Sequence, residues 1–138
     1  MLIYLSMLSG IRVLVADDDV QLLDVVCDFF ARLEAGVARA SSGSDLIQQL
    51  ATAGPFDLIV TDISMPWMSG LQAMRATRAA GLATPVIVMT ALSDPRIPAQ
   101  VKSLGGNTVF LRKPFTASEL EAAAAVLVGQ TSHGESRN

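Results

Sequence analysis

Three aspartates stand side by side in the stretch "VADDDV", directly after an apolar run. Like charges this close repel each other, and carboxylates that share one site hold a proton or bind a cation. Only 17% of the residues are charged, so acids are concentrated here against the general composition of the chain. The stretch therefore predicts a site that binds a cation or retains a proton.

Polar residues also stand at the ends of other apolar segments. Asp17 and Asp18 follow "IRVLVA", and Asp62 ends "FDLIVTD". Thr90 lies near the end of "TPVIVMTA", and Lys113 ends "NTVFLRK". If these segments are parallel strands, their carboxyl ends meet at one edge of the sheet, where ligands bind in such folds. We therefore expect the five residues to share one cleft.

The residue types at this edge suit phosphoryl transfer. Asp17, Asp18 and Asp62 offer hard oxygen ligands, and Mg²⁺ is the predicted ion because it prefers carboxylates and retained waters. Without a metal, repulsion should raise the pKa of at least one carboxyl group. Lys113 can bind an anionic group, and Thr90 adds a hydroxyl. Together with a carboxylate nucleophile, these groups are the parts needed to transfer a phosphoryl group onto an aspartate.

The elements that would position these residues alternate along the chain. Five short apolar runs predict strands, at 11–16, 37–40, 56–62, 84–91 and 107–113. Helical patterns stand between and after them; in the first, Leu22, Val26, Phe30 and Leu33 recur at helical spacing. This alternation predicts an α/β fold in which helices cover both faces of a parallel sheet.

Length and composition bound the class of protein. The chain has 138 residues and is 51% apolar, which indicates one folded domain. Because its net charge is −3, the chain as a whole offers no basic surface for direct nucleic-acid binding. The single cysteine, Cys27, excludes an intrachain disulfide and favours a cytoplasmic location. It is predicted to be a core residue. The opening "MLIYLSMLSG" is too short to span a membrane, so no membrane association is expected.

The predicted domain covers residues 11–129. Residues 1–10 are expected to be a dispensable extension. The alternatives are an extra edge strand, a helix that pairs with a partner, or a wrongly assigned start, with Met7 as the natural first residue. Residues 130–138, in "GQTSHGESRN", are predicted to form a disordered tail because the segment is polar.

Four motifs, taken in order, resemble the receiver domain of two-component response regulators from about Ile11 to Val128. "VLVADDD" is similar to the family's first strand with its acidic pair. "FDLIVTDISMPWMSG" is similar to its third strand, with the phospho-accepting aspartate at Asp62. "PVIVMTA" and "FLRKPF" are similar to its fourth and fifth strands, with the switch threonine at Thr90 and the lysine at Lys113.

The resemblance implies a flavodoxin-like, three-layer (βα)5 fold with a five-stranded parallel sheet in the order 2-1-3-4-5. It implies that Mg²⁺ is held directly by Asp18 and Asp62, through water by Asp17, and by the backbone carbonyl of Ser64. The protein is then a signalling module rather than a dedicated enzyme, with intrinsic phosphoryl-transfer chemistry and slow autodephosphorylation.

The resemblance further implies that a histidine kinase or histidine phosphotransfer protein donates the phosphoryl group to Asp62. Lys113 and Thr90 would bind phosphoryl oxygens. Movement of Thr90 would admit the aromatic residue Phe110 and switch a surface that binds a downstream protein target. The resemblance also allows a homodimer through the face formed by helix 4 and helix 5.

Several positions depart from the family pattern. Phe110 replaces a frequent tyrosine and lacks its hydroxyl, so a switch role and a simple core role both stay open. Trp67 replaces small loop residues and is either a contact residue or a cap over the helix end or the site. Leu92 is apolar and cannot orient an attacking water, which predicts slower self-hydrolysis. Asp19, the third acid, is predicted to cap a helix rather than bind metal.

Two other functions compete with this interpretation. A hydrolase of the Asp-nucleophile phosphatase type usually has an acid two residues after the nucleophile, where this chain has Ser64. The second alternative is a receiver fold used as a phosphorylation-independent binding or dimerisation module. Intact residues at the predicted site argue against this alternative, because packing alone does not require them.

Overall fold

The computed structural model describes residues 7–135, with the side chains of residues 7–129. Five strands alternate with five helices between residues 12 and 135. The strands are β1 (Arg12–Ala16), β2 (Gly36–Ala40), β3 (Leu58–Asp62), β4 (Val86–Thr90) and β5 (Thr108–Arg112). The helices are α1 (Val20–Arg32), α2 (Gly43–Thr52), α3 (Gly70–Ala79), α4 (Ile97–Lys102) and α5 (Ala117–Glu135).

The strands form one parallel sheet in the order β2-β1-β3-β4-β5. Every residue of β3 and β4 is buried, as expected for central strands that are covered on both faces. The predicted flavodoxin-like (βα)5 fold and its strand order are therefore confirmed.

Two hydrophobic layers lie on opposite faces of the sheet. Side chains alternate along β1, so that Val13 and Val15 pack with α1 and α5, whereas Leu14 packs with α2, α3 and α4. Cys27 of α1 is buried in the first layer, as predicted. Because helices cover both faces of the sheet, a ligand can reach the strands only at their ends.

Side-chain caps fix where helices begin. The carboxylate of Asp19 accepts hydrogen bonds from the backbone amides of Gln21 and Leu22, so the predicted N-cap of α1 is confirmed. Before α5, the Thr116 hydroxyl accepts from the Glu119 amide while the Glu119 carboxylate accepts from the Thr116 amide. This reciprocal pair of hydrogen bonds is a capping box, and it fixes the first turn of α5.

The described structure continues beyond both predicted domain boundaries, as packed residues before residue 11 and as helical backbone after residue 129. Leu8 is fully buried in the layer formed with α1 and α5, and the Gly10 amide donates a hydrogen bond to the Glu34 carbonyl. At the other end, α5 continues to Glu135, into the segment predicted as a tail, because no proline interrupts residues 117–135. Residues 1–6 and 136–138 lie outside the described residues.

Candidate functional site

The carboxyl ends of four strands bring the predicted site residues to one edge of the sheet. Asp62 and Thr90 are the last residues of β3 and β4. Asp17 directly follows β1, and Lys113 directly follows β5. Because parallel strands all end on the same side, residues from four separate parts of the chain converge there.

Three carboxylates form an oxygen cluster at this edge. Asp17, Asp18 and Asp62 each contribute one oxygen, and these atoms lie within 4.8 Å of one another. Asp17 and Asp62 are buried, whereas Asp18 is exposed. A donor set made only of carboxylate oxygens, and open to water on one side, has the chemistry that Mg²⁺ requires. The residues present therefore fit this ion.

Lys113 bridges the two buried carboxylates of this cluster, those of Asp17 and Asp62. Its Nζ lies 2.8 Å from Asp17 Oδ2 and 3.3 Å from Asp62 Oδ1. Burial lowers the pKa of the Lys113 ammonium, but the hydrogen bond to Asp17 and the charges of Asp62 and Asp17 outweigh this effect, so the pKa lies above its usual value. Lys113 is therefore charged when it faces the cluster.

Asp62 carries a carboxyl group whose pKa is raised above its usual value. Burial is the largest cause, and the negative charge of Asp17 adds to it. The charge and hydrogen bond of Lys113 act in the opposite direction. The sequence predicts a raised carboxyl pKa from repulsion, and the direction agrees, but burial contributes more than repulsion does.

The start of α3 presses against the backbone of Asp62. A Cβ atom placed on Gly70 would lie 2.0 Å from the Asp62 carbonyl oxygen, so no larger residue fits without movement. The Thr61 hydroxyl donates to the same carbonyl at 3.0 Å, and the Gly70 amide donates to Ile63. These contacts fix the backbone that carries the Asp62 carboxylate.

Thr90 is fully buried and is tied to the loop that follows β4. Its Oγ1 accepts a hydrogen bond of 2.9 Å from the amide of Leu92. Its carbonyl accepts from the Lys113 amide at 2.8 Å, which joins the ends of β4 and β5. Movement of Thr90 is therefore coupled to the position of Leu92.

Phe110 is half-buried on β5 and packs against the layer formed with α2, α3 and α4. The guanidinium carbon of Arg112 lies 5.5 Å from the centre of the Phe110 ring. The same guanidinium donates a hydrogen bond of 2.9 Å to the Leu92 carbonyl. Sequence reasoning did not single out Arg112, although its position two residues after Phe110 places both on one face of the strand.

The loop after β3 exposes two of the residues considered from the sequence. Ser64 is exposed, and its carbonyl remains a predicted metal ligand. Trp67 is 95% exposed and has a positive φ of 70°, a conformation that costs energy for a residue other than glycine. The alternative that Trp67 caps the helix end or the site is wrong, because an exposed ring covers neither.

Sequence comparison relates the chain to a family of signalling domains. The profile of the family described as response regulator receiver domain matches residues 13–125. The chain is 33% identical to the transcriptional regulatory protein DltR of Streptococcus agalactiae over 121 residues, which is 88% of the chain and 53% of DltR. It is 32% identical to a probable chemotaxis protein CheY of Rhizobium etli, covering 91% of the chain and 98% of that protein.

Solved structures of similar fold agree with the profile. The receiver domain of Francisella response regulator 1452 superposes with a TM-score of 0.79 at 28% identity, covering 88% of the chain and 99% of that domain. The BeF3-activated DrrB receiver domain gives a TM-score of 0.76 at 26% identity, covering 87% and 98%. The chain spans about half the length of DltR. Among the described residues, no helix combines the length and apolar character needed to cross a bilayer.

Proposed function

Because this chain belongs to the response regulator receiver domain family of two-component systems, we propose that it accepts a phosphoryl group on Asp62 and thereby switches a protein-interaction surface. The observation that carries the proposal is the cluster of Asp17, Asp18 and Asp62 oxygens within 4.8 Å of one another, with Lys113 Nζ in contact with two of them. Packing of the core does not require three acids and a lysine at one strand edge. Phosphoryl transfer to an aspartate does use all of them.

In the proposed reaction, an ionised carboxylate oxygen of Asp62 attacks the phosphorus of a phosphohistidine. The new O–P bond forms as the N–P bond breaks, and the imidazole leaves with the bonding electrons and takes up a proton. Lys113 offsets the burial that opposes ionisation of Asp62, and it lies close enough to bind a phosphoryl oxygen. The Thr90 hydroxyl is the second proposed partner of the phosphoryl group.

The proposed metal ligands are the side chains of Asp17, Asp18 and Asp62 and the backbone carbonyl of Ser64. A bound Mg²⁺ would neutralise charge that builds up on the phosphoryl oxygens beside the carboxylates. The exposed carboxylate of Asp18 leaves one side of this cluster open to solvent. Slow autodephosphorylation, in which water attacks the phosphoryl group at the same site, belongs to the proposal.

The proposed donor is a histidine kinase or histidine phosphotransfer protein. A cavity of about 420 Å³ lies beside the site, and its lining includes Lys113 and Pro114 together with Leu22 and Val25 of α1. Its mostly apolar wall can pack against the apolar face of a helix from the donor protein. We place the protein in the cytoplasm, where such donors and a free buried cysteine both persist.

The proposed output is a change in the surface formed by α4, β5 and α5. A phosphoryl group adds about −1.5 to −2 charges and three strong hydrogen-bond acceptors, which attract Thr90 and Lys113. The downstream partner is proposed to be a protein, and a homodimer through the same face remains part of the proposal. DltR is named as a transcriptional regulator and the Rhizobium protein as a chemotaxis protein, so relatives of this chain serve different outputs.

The test is incorporation of a phosphoryl group from acetyl phosphate, followed by intact mass spectrometry with Mg²⁺ or with a chelator. We expect incorporation with Mg²⁺, little with chelator, and none in Asp62→Asn. Asp57→Asn is the matched control, because Asp57 is an exposed aspartate just before the opposite end of β3. Equal incorporation into wild type and Asp62→Asn would refute the proposed acceptor, and no incorporation into folded wild type would favour a phosphorylation-independent binding module.

A further inference from the structure

We propose that Arg112 is a positioning residue that restrains the switch of this domain by joining Phe110 to the loop after β4. The inference rests on the proposed function, because the switch is the one that phosphorylation of Asp62 would operate. Its support is a continuous series of contacts from Thr90 to Phe110.

Arg112 contacts two separate parts of the switch region. Its Nη1 donates a hydrogen bond of 2.9 Å to the Leu92 carbonyl, and its guanidinium carbon lies 5.5 Å from the centre of the Phe110 ring. A guanidinium at this distance from a ring is attracted by the negative π face. The Arg112 side chain, which extends from β5, thus contacts both the loop after β4 and the Phe110 ring.

The loop contact leads directly to Thr90. The Leu92 amide donates to Thr90 Oγ1 at 2.9 Å, while the Leu92 carbonyl accepts from Arg112. Leu92 is therefore tied on one side to Thr90 and on the other side to β5. A shift of Thr90 toward a phosphoryl group on Asp62 would carry Leu92 with it.

Arg112 opposes this shift because it is fixed to the neighbouring strand. β4 and β5 are paired, and Thr90 stands opposite Arg112 in the register. When Leu92 moves away with Thr90, the Arg112 hydrogen bond lengthens or breaks, and the guanidinium loses its place over Phe110. The switched state thus lacks a contact that the other state retains, and such a difference shifts the equilibrium between them.

This restraint predicts how strongly the domain responds to a phosphoryl analogue. Arg112→Met keeps the length of the side chain but removes its charge and its donors. Loss of one exposed hydrogen bond should shift the equilibrium about two- to tenfold toward the switched state. The variant should therefore bind beryllofluoride, in the presence of Mg²⁺, about two- to tenfold more tightly than wild type.

The titration can be followed by fluorescence of Trp67, the single tryptophan, which lies in the loop after Asp62. Arg112→Lys retains charge and a donor and should restore part of the wild-type affinity. Arg75→Met, which removes an exposed arginine from α3, is the matched control and should leave the affinity unchanged. Thermal unfolding of all variants separates a change in switching from a loss of stability.

The chemical shift of the Leu92 amide tests the same restraint without a titration of the analogue. In Arg112→Met, the amide NMR signal of Leu92 should move part of the way toward its position in wild type saturated with beryllofluoride. Equal or weaker binding by Arg112→Met, or a Leu92 signal that does not move in that direction, would overturn the proposal. Failure of wild type to take up a phosphoryl group or bind the analogue would instead refute the proposed function, on which the restraint depends.

Discussion

Lys113 Nζ lies 2.8 Å from Asp17 Oδ2, although the two residues are 96 positions apart in the sequence. Their strands are not neighbours, because β3 and β4 stand between β1 and β5 in the sheet. The contact therefore spans the carboxyl edge of the sheet and passes close to Asp62, which lies 3.3 Å from the same nitrogen. Lys113, which binds the phosphoryl group in the proposed function, thus also stabilises the fully buried carboxylate of Asp17.

Replacing Lys113 by methionine should destabilise the protein as well as impair phosphorylation. Asp17 is fully buried and would lose its charged partner, and removal of one partner of a buried ion pair costs about 3–5 kcal/mol. Chemical denaturation at neutral pH with a chelator present measures this change. Lys102→Met, at an exposed position of α4, should alter stability by less than about 0.5 kcal/mol. Equal stability of the two variants would show that the Lys113 ion pair does not support the fold.

Gly70→Ala tests whether α3 holds the phosphorylation loop in place. The added Cβ would lie 2.0 Å from the Asp62 carbonyl oxygen, so the backbone of one of the two residues must move. Overpacking of this kind costs about 1–3 kcal/mol, and incorporation of phosphoryl groups should fall with it. Gly36→Ala is the control, because a Cβ atom added there would lie 3.8 Å from its nearest neighbour, the Ile11 carbonyl oxygen. Wild-type stability and labelling in Gly70→Ala would contradict the close packing.

The strand ends explain how much of the site could be predicted from the sequence. Asp17, Asp62, Thr90 and Lys113 interrupt apolar runs, and parallel strands necessarily bring such interruptions to one edge. Periodicity could not reveal Arg112, because its contacts depend on where the loop after β4 passes β5. The exposure of Trp67 likewise depends on the path of its loop, which residue types alone do not determine.

Leu8 illustrates the same limit at a domain boundary. The opening residues carry no periodic signal, yet Leu8 is fully buried against the layer formed with α1 and α5. Leu8→Ala should therefore lower the free energy of unfolding by about 2–5 kcal/mol. Leu82→Ala, at a position that is 46% exposed, should cost less than about 1 kcal/mol. A Leu8→Ala variant as stable as wild type would support the prediction that residues 1–10 are dispensable.

The start of α4 offers a pH-dependent test. Hydrogen bonds from the Arg96 side chain and amide lower the pKa of the Asp94 carboxyl from 3.8 to about 2. A carboxyl group with a lowered pKa stabilises the folded state above its ordinary pKa, and this contribution is lost as the pH falls through about 2. NMR titration of the Asp94 carboxyl carbon measures the midpoint directly.

In Arg96→Met the Asp94 midpoint should return toward 3.8, because the side-chain hydrogen bonds are the largest cause of the shift. An Asp94 midpoint near 3.8 in wild type would show that the pair with Arg96 does not persist in solution.

Locating the phosphoryl group shows directly whether Asp62 is the acceptor. After reaction with acetyl phosphate and Mg²⁺, borohydride reduces an aspartyl phosphate to homoserine, which marks the modified residue in a peptide digest. We expect the mark at Asp62 and at no other residue, and we expect it to disappear when Mg²⁺ is removed. A mark at Asp17 or Asp18, or reduction that yields no homoserine from labelled protein, would contradict it.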